Sequence, residues 1–185
     1  SINLQTSKTG VTATARTEAQ LTFGAAGAYS LVLRSDNSTD ETVSFSISAA
    51  TGSDGLSTAV AAINEKSSKT GVVASLNSDG SGIVLTNSSG NTIAVGDTAS
   101  ANAGAVTVQK LVGDGSGGVS TSGAAQTLLA ASTVENVGVS GYLTLDSDKS
   151  FSAVSTTTTA LQGTPGTFNS NLKKVADLLK EAGGK

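Results

Sequence analysis

The chain has 185 residues and a formal net charge of −3, with no Cys, His or Trp. Those absences exclude a disulfide framework, thiol chemistry, His-centred catalytic triads and most zinc sites, leaving an enzyme only carboxylates, Lys and Tyr. Scattered Lys and Arg without stacking aromatics argue against nucleic acid, and no apolar run reaches the length of a membrane span.

Charged residues make up 14% and aromatics 3%, so the core must be assembled from Ala, Val, Leu and Ile around four Phe and two Tyr. Small side chains each bury little area, and stability has to come from many modest contacts. The 22 Gly, with abundant Ser and Thr, suit strands and turns better than long helices. The fold class expected is α+β and strand-rich.

The first element is SINLQTSKTGVTATAR, residues 1–16, and it returns as AINEKSSKTGVVASLN, residues 62–77. Ile2 aligns with Ile63, Asn3 with Asn64, Ser7–Val11 with Ser68–Val72, and Ala13 with Ala74. The chain opens inside this motif, so it reads as a piece of a longer protein whose first copy lacks its helix. Val11, Ala13 and Ala15 form a first strand, and Leu21–Phe23, Tyr29–Leu33 and Thr42–Ile47 are further strands. Gly24–Gly27 and Ser35–Asp40 turn between them.

Leu56, Ala59, Val60 and Ile63 fall at helical spacing, with Asp54 placed to cap the amino end. The helix should fail near Ser67–Lys69, and Gly71 supplies the reversal. Val72, Ala74 and Leu76 alternate as a strand, Asn77–Gly82 turns, and Ile83–Leu85 returns. The unit is helix, strand, turn, strand, and neither half can bury its apolar side alone. Further on, Ala105–Val112 reads as a strand, Gly113–Gly118 as a loop and Ala124–Ala131 as a short helix with Leu128 and Leu129 on its apolar side. Val137–Leu145 and Phe151–Val154 suggest a last hairpin around Asp146–Lys149. Thr156–Thr159 and Gly163–Gly166 read as a linker. From Asn169 or Ser170 onward, Leu172, Val175, Ala176 and Leu179 space an amphipathic helix stopped by Gly183-Gly184.

Ala62-Ile63-Asn64 with Ser67–Ser75 resembles the inner repeat (Ile-Asn) motif of bacterial flagellins. Both copies keep the Ile-Asn pair, the Thr-Gly-Val and the following Ala. Gly82–Thr86 also fits, and Phe168–Leu172 with Val175–Asp177 looks like the place where a flagellin chain re-enters its helical core. Leu178–Lys185 does not resemble the family. The resemblance implies an outward-facing middle region of a secreted, extracellular filament subunit. It implies support of motility, surface antigenicity, export unfolded, and no catalysis or cofactor. The implied partners are other flagellin subunits through core helices outside this chain, host antibodies and O-glycans on Ser or Thr, with no nucleic acid and no membrane; the piece by itself is expected to be monomeric. The implied organisation is a first lobe at 1–97 with inner repeats at 1–34 and 56–95. A second lobe or continuation follows at 98–160, then a linker and returning helix at 161–185.

Sharper chemical readings are outweighed by plainer ones. Asn77–Gly80, Asp114–Gly117 and Asp146–Asp148 hint at calcium loops but lack a full ligand set with a closing Glu. Gly113–Gly118 lacks the Gly-Lys-Ser/Thr end of a phosphate cradle. Paired carboxylates, Asp146 with Asp148 or Asp40 with Glu41, suit glycosidase work but read better as turn charges. A metalloprotease would need His. Ser35–Thr42, Ser116–Ser122 and Thr156–Thr159 are candidate glycan loops, and Asn37 and Asn87 head N-linked sequons. The terminal helix has an apolar face of the kind that lies on membrane surfaces, though docking to a protein neighbour is the better reading. No catalytic, cofactor-binding or metal residue is assigned. The rivals to the filament subunit are the filament cap protein and, from another class, a secreted adhesin or glycan-binding domain.

Overall fold

The structure, a computed structural model, describes residues 2–130, 134–155 and 166–169. A 3-10 turn at Ile2–Gln5 leads into α1 (Thr6–Thr9), followed by β1 (Thr12–Phe23), β2 (Gly27–Arg34) and β3 (Glu41–Ile47). Then come α2 (Ser53–Glu65), α3 (Ser67–Thr70), β4 (Val72–Leu76), β5 (Ile83–Asn87) and β6 (Ile93–Asp97). The elements that follow among the described residues are strands: β7 (Val106–Gly113), β8 (Val119–Thr121), β9 (Gln126–Leu128), β10 (Asn136–Val139), β11 (Tyr142–Asp146), β12 (Ser152–Ser155) and β13 (Gly166–Asn169). The architecture is α+β and strand-rich.

The chain forms two compact units, Ala15–Thr144 and Ser1–Thr14 with Leu145–Lys185. In the larger unit, one sheet has the order β4-β5-β1-β7-β8, with β9 sharing the far side of β7. A second sheet has the order β10-β6-β2-β3, and its pairings are antiparallel. Both sheets point one face into a common core. Leu21, Ile83, Leu85, Val106 and Val108 come from the first, and Leu31, Leu33, Val43, Ile93 and Val95 from the second. Helix α2 adds Leu56, Ala59 and Ile63 at the spacing expected of an apolar stripe. Phe23, Tyr29 and Phe45 meet at ring separations of 5.0–5.8 Å, the bulkiest packing in a core otherwise made of small residues.

In the smaller unit, β12 pairs antiparallel with β13. The Thr12 hydroxyl reaches the Asp146 carbonyl at 3.3 Å.

Five expectations are corrected. Residues 126–128 are a strand on β7, not a helix, because Leu128 alone is buried there while Leu129 faces solvent. Val11–Ala15 and Leu21–Phe23 are not separate strands. β1 runs unbroken through them, because it lies between β5 and β7 and its polar middle residues Thr17 and Glu18 are buried with it. Phe151–Val154 does not fold back on Val137–Leu145; β12 takes β13, and β10 takes β6. Asp54 does not cap α2, since Gly52 holds the cap position at φ 85° and Asp54 sits inside the first turn. There its carboxylate accepts from Ser53 Oγ at 3.5 Å and complements the helix dipole. Gly166, expected in the linker, and Asn169, expected at the start of the terminal helix, belong to β13 instead; the rest of the linker at 156–159 and 163–165 and the helix from Ser170 lie outside the described residues.

Candidate functional site: the repeated Ile-Asn element

The two copies fold onto the same hydrogen bonds. In the second, the side-chain amide of Asn64 donates to the Ala74 carbonyl at 2.9 Å, and the Ala74 N–H donates to Asn64 Oδ1 at 2.7 Å. In the first, Asn3 treats Ala13 the same way at 2.8 and 2.7 Å. The carboxamide offers one donor and one acceptor with nearly the spacing of a peptide group. It stands where a neighbouring strand would.

The turn before each strand is equally shared. Thr70 Oγ1 donates to the Lys66 carbonyl at 3.0 Å and accepts the Val72 N–H at 3.2 Å. Thr9 does this with Gln5 and Val11 at 3.0 and 3.2 Å. Gly71 N–H donates to the Ser67 carbonyl at 2.8 Å, and Gly10 N–H to Thr6 at 2.7 Å. Both glycines adopt the left-handed conformation, φ 67° and 68°, that ends a helical turn and aims the chain back as a strand. Lys-Thr-Gly-Val is thus a helix stop, and the Asn with the Ala ten residues later is the clasp that fixes where the strand lies.

Around the second copy a polar knot ties three turns. Asp36 N–H donates to the Thr70 carbonyl at 3.0 Å, and Asp36 Oδ1 accepts from the side-chain amides of Asn87 and Asn91, both at 2.8 Å. Asn87, 1% exposed, also donates to Ser35 Oγ at 3.0 Å and accepts the backbone N–H groups of Ser89 and Asn91. With both amide hydrogens engaged in the interior, Asn87 is no glycan acceptor. Asn37 is tied down as well, donating to the carbonyls of Leu33 and Thr39.

The weighed chemical motifs resolve into turns and ion pairs. Asp114 Oδ1 accepts from Ser116 N–H, Ser116 Oγ and Gly118 N–H; the Ser116 backbone bond leads in holding its carboxyl below the usual range. Asp79 does the same with Ser81 N–H at 2.8 Å, and that bond lowers its pKa. These are side chains closing their own turns. Asp40 pairs with Arg34, while Glu41 takes Lys69 at 2.9 Å and Lys66 at 3.4 Å, the Lys69 hydrogen bond chiefly holding it ionised. Tyr142 donates a short hydrogen bond to the buried Glu18, whose other oxygen lies 3.3 Å from Arg16 Nε. Burial first, then Glu18, pushes the phenol up to about 12. Held protonated, the phenol donates to Glu18.

The clasp role of Asn3 and Asn64 was not read from the sequence. The signal was there, since each Asn is followed ten residues later by the Ala it clasps, in both copies.

Residues 30–89 match the family model of the flagellin hook IN motif. The match covers 60 of 185 residues and contains the second copy, the knot apart from Asn91, and both strands of its hairpin. The chain therefore carries a flagellin-type inner repeat. A search of curated proteins gave no match.

Proposed function

We propose that this chain is the outward-facing middle region of a flagellar filament protein, a structural part without catalysis. The observation that carries the reading is the second Ile-Asn element. The matched residues 30–89 include a helix clasped to a β-hairpin, and the same clasp recurs at residues 2–13. On this reading the chain is exported and stands on the outside of the filament. There it meets solvent, antibodies and any O-glycans attached to its Ser- and Thr-rich turns. Assembly with other subunits proceeds through helical segments beyond this chain. A domain at 1–97 with 98–160 as its continuation, and a returning segment at 161–185, belong to the same proposal.

The test is immuno-electron microscopy. Antibodies raised against the purified chain are applied to intact filaments from cells that encode it. Labelling along the whole filament supports the reading. Labelling confined to the filament tip replaces it with the cap protein. Filaments left bare while the cell surface is labelled replace it with an adhesin.

A further inference from the structure

We propose that Asp97 and Glu135 hold a hard divalent cation, Ca²⁺ before Mg²⁺, at the core-facing side of the second sheet. The proposal does not depend on the filament reading.

The ladders around them place both carboxylates. Asp97 lies opposite Leu31 of β2, whose side chain is in the core, so its own side chain takes the same face. The register of β10 on β6 sets Val137 opposite Val95 and Asn136 opposite Gly96. One step further on, the Asp97 N–H donates to the Glu135 carbonyl at 3.0 Å. Glu135 therefore continues the ladder opposite Asp97 and shares the face of Val137, which packs against the core. Like charges directly opposite each other on neighbouring strands repel. Among the described residues no Lys or Arg pairs with either carboxylate.

Neutral donors satisfy only part of each group. Asn102 spends its side-chain amide on Asp97 Oδ1 at 2.9 Å, and its own Oδ1 accepts the Ser30 N–H at 2.7 Å. Its backbone N–H holds the Ala130 carbonyl at 3.2 Å, so this buried side chain is fixed in place. Asp97 Oδ2 is left buried without a partner. On Glu135, Oε2 accepts the Leu129 N–H at 2.8 Å. A buried carboxylate oxygen without a donor is costly, and a second carboxylate facing it adds to the cost. One cation between them removes both penalties. Oxygen ligands alone favour Ca²⁺ or Mg²⁺ over softer metals, and Ca²⁺ accepts irregular geometry more readily. Glu135 is half-buried, so water reaches the site and completes the coordination. So few charged ligands put the expected dissociation constant at about 0.1–1 mM.

The test is thermal unfolding of the full chain at neutral pH, first in EDTA and then in about 10 mM Ca²⁺, Mg²⁺ or NaCl of matched ionic strength, a concentration well above that constant. In EDTA the carboxylates face each other uncompensated, and the raised pKa of Asp97 belongs to that state. The expected result is a Tm higher by about 3–6 °C in Ca²⁺ than in NaCl. Asp97→Asn and Glu135→Gln should each abolish the rise, and Asp79→Asn, at an exposed turn carboxylate, should keep it. A native chain that Ca²⁺ does not stabilise overturns the proposal, and so does a rise that D97N and E135Q leave intact. If D97N does not fold, E135Q and an NMR titration of the native chain decide. Ca²⁺-dependent shifts largest at the amides of Asp97, Asn102, Leu129 and Glu135 support the site, and shifts confined to the turns of Asp79 and Asp114 overturn it.

Discussion

The elements at residues 2–13 and 63–74 share their hydrogen bonds and differ almost wholly in burial. Ile63, on the buried face of α2, is 3% exposed, whereas Ile2 is 42% and Leu4 77% exposed. Thr70 is buried and Thr9 is not. Gly71 lies against the Asp36 carboxylate, while a methyl group on Gly10 would find its nearest neighbours at 3.7 Å. The same backbone path therefore forms with and without an apolar cover. The path is dictated locally, by a left-handed Gly, a Thr that closes the turn and an Asn that clasps the strand. The cover adds stability to a shape already set.

That division predicts unequal responses to equal substitutions. Ile63→Ala removes a core side chain from between the helix and both sheets and should cost about 2–4 kcal/mol, against about 0.5 or less for Ile2→Ala. Urea unfolding of both variants measures this; similar losses would mean that Ile2 has a cover of its own. Gly71→Ala comes next. It places an alanine at φ 67°, and its methyl overlaps a carboxylate that Asn87 and Asn91 hold in place. A loss of about 2–3 kcal/mol is expected, against about 1 for Gly10→Ala, where only the backbone conformation resists. Equal losses would show that Asp36 yields without cost. Smaller again is Thr→Val. Thr70→Val leaves the N–H of buried Val72 without its acceptor, worth about 1–2 kcal/mol, while at Thr9 water replaces the hydroxyl and the loss should be a few tenths. Amide exchange at Val72 and Val11 in the two variants separates the cases.

What could be read from the sequence was what local rules control. Helical spacing placed Leu56, Ala59 and Ile63 on one face with the half-buried Val60, alternation placed Val72 and Ala74 inside with the half-buried Leu76, and Ile83–Leu85 returned as a strand. The repeat itself was visible as matching letters. What escaped depended on partners distant in sequence. Arg16, Thr17 and Glu18 look like a break in a strand, yet Glu18 is buried because Tyr142 approaches it from 124 residues away. Leu128-Leu129 looks helical, and only its pairing with Val106 makes it a strand. Nor does anything near Asp97 announce a buried carboxylate. The clasp escaped for another reason. An Asn that substitutes for a strand is legible only when both ends of the bond are known.

Asp97 supplies the last contrast, because it makes the unit holding the covered copy sensitive to pH. It is 1% exposed; one oxygen accepts from Asn102 Nδ2 at 2.9 Å and the other has no partner among the described residues. Burial, with Glu135 adding repulsion, raises its pKa, and the Asn102 bond opposes this only in part. A carboxyl whose native pKa is raised binds more protons in the folded than in the unfolded chain, so stability falls as pH climbs from the unfolded value near 3.9 through the native one. Glu41, held ionised by Lys69 and Lys66, works in the opposite sense and loses its contribution as pH falls. Comparing the native chain with Asp97→Asn cancels Glu41 and isolates Asp97. The asparagine keeps an acceptor for Asn102 and never ionises. Its stability relative to the native chain should therefore rise in urea unfolding as pH climbs from about 3.9 through the native pKa, and level off above it. A difference that stays flat would mean that Asp97 titrates alike in the folded and unfolded chain, and one that falls would mean that its charged form has a partner in the fold.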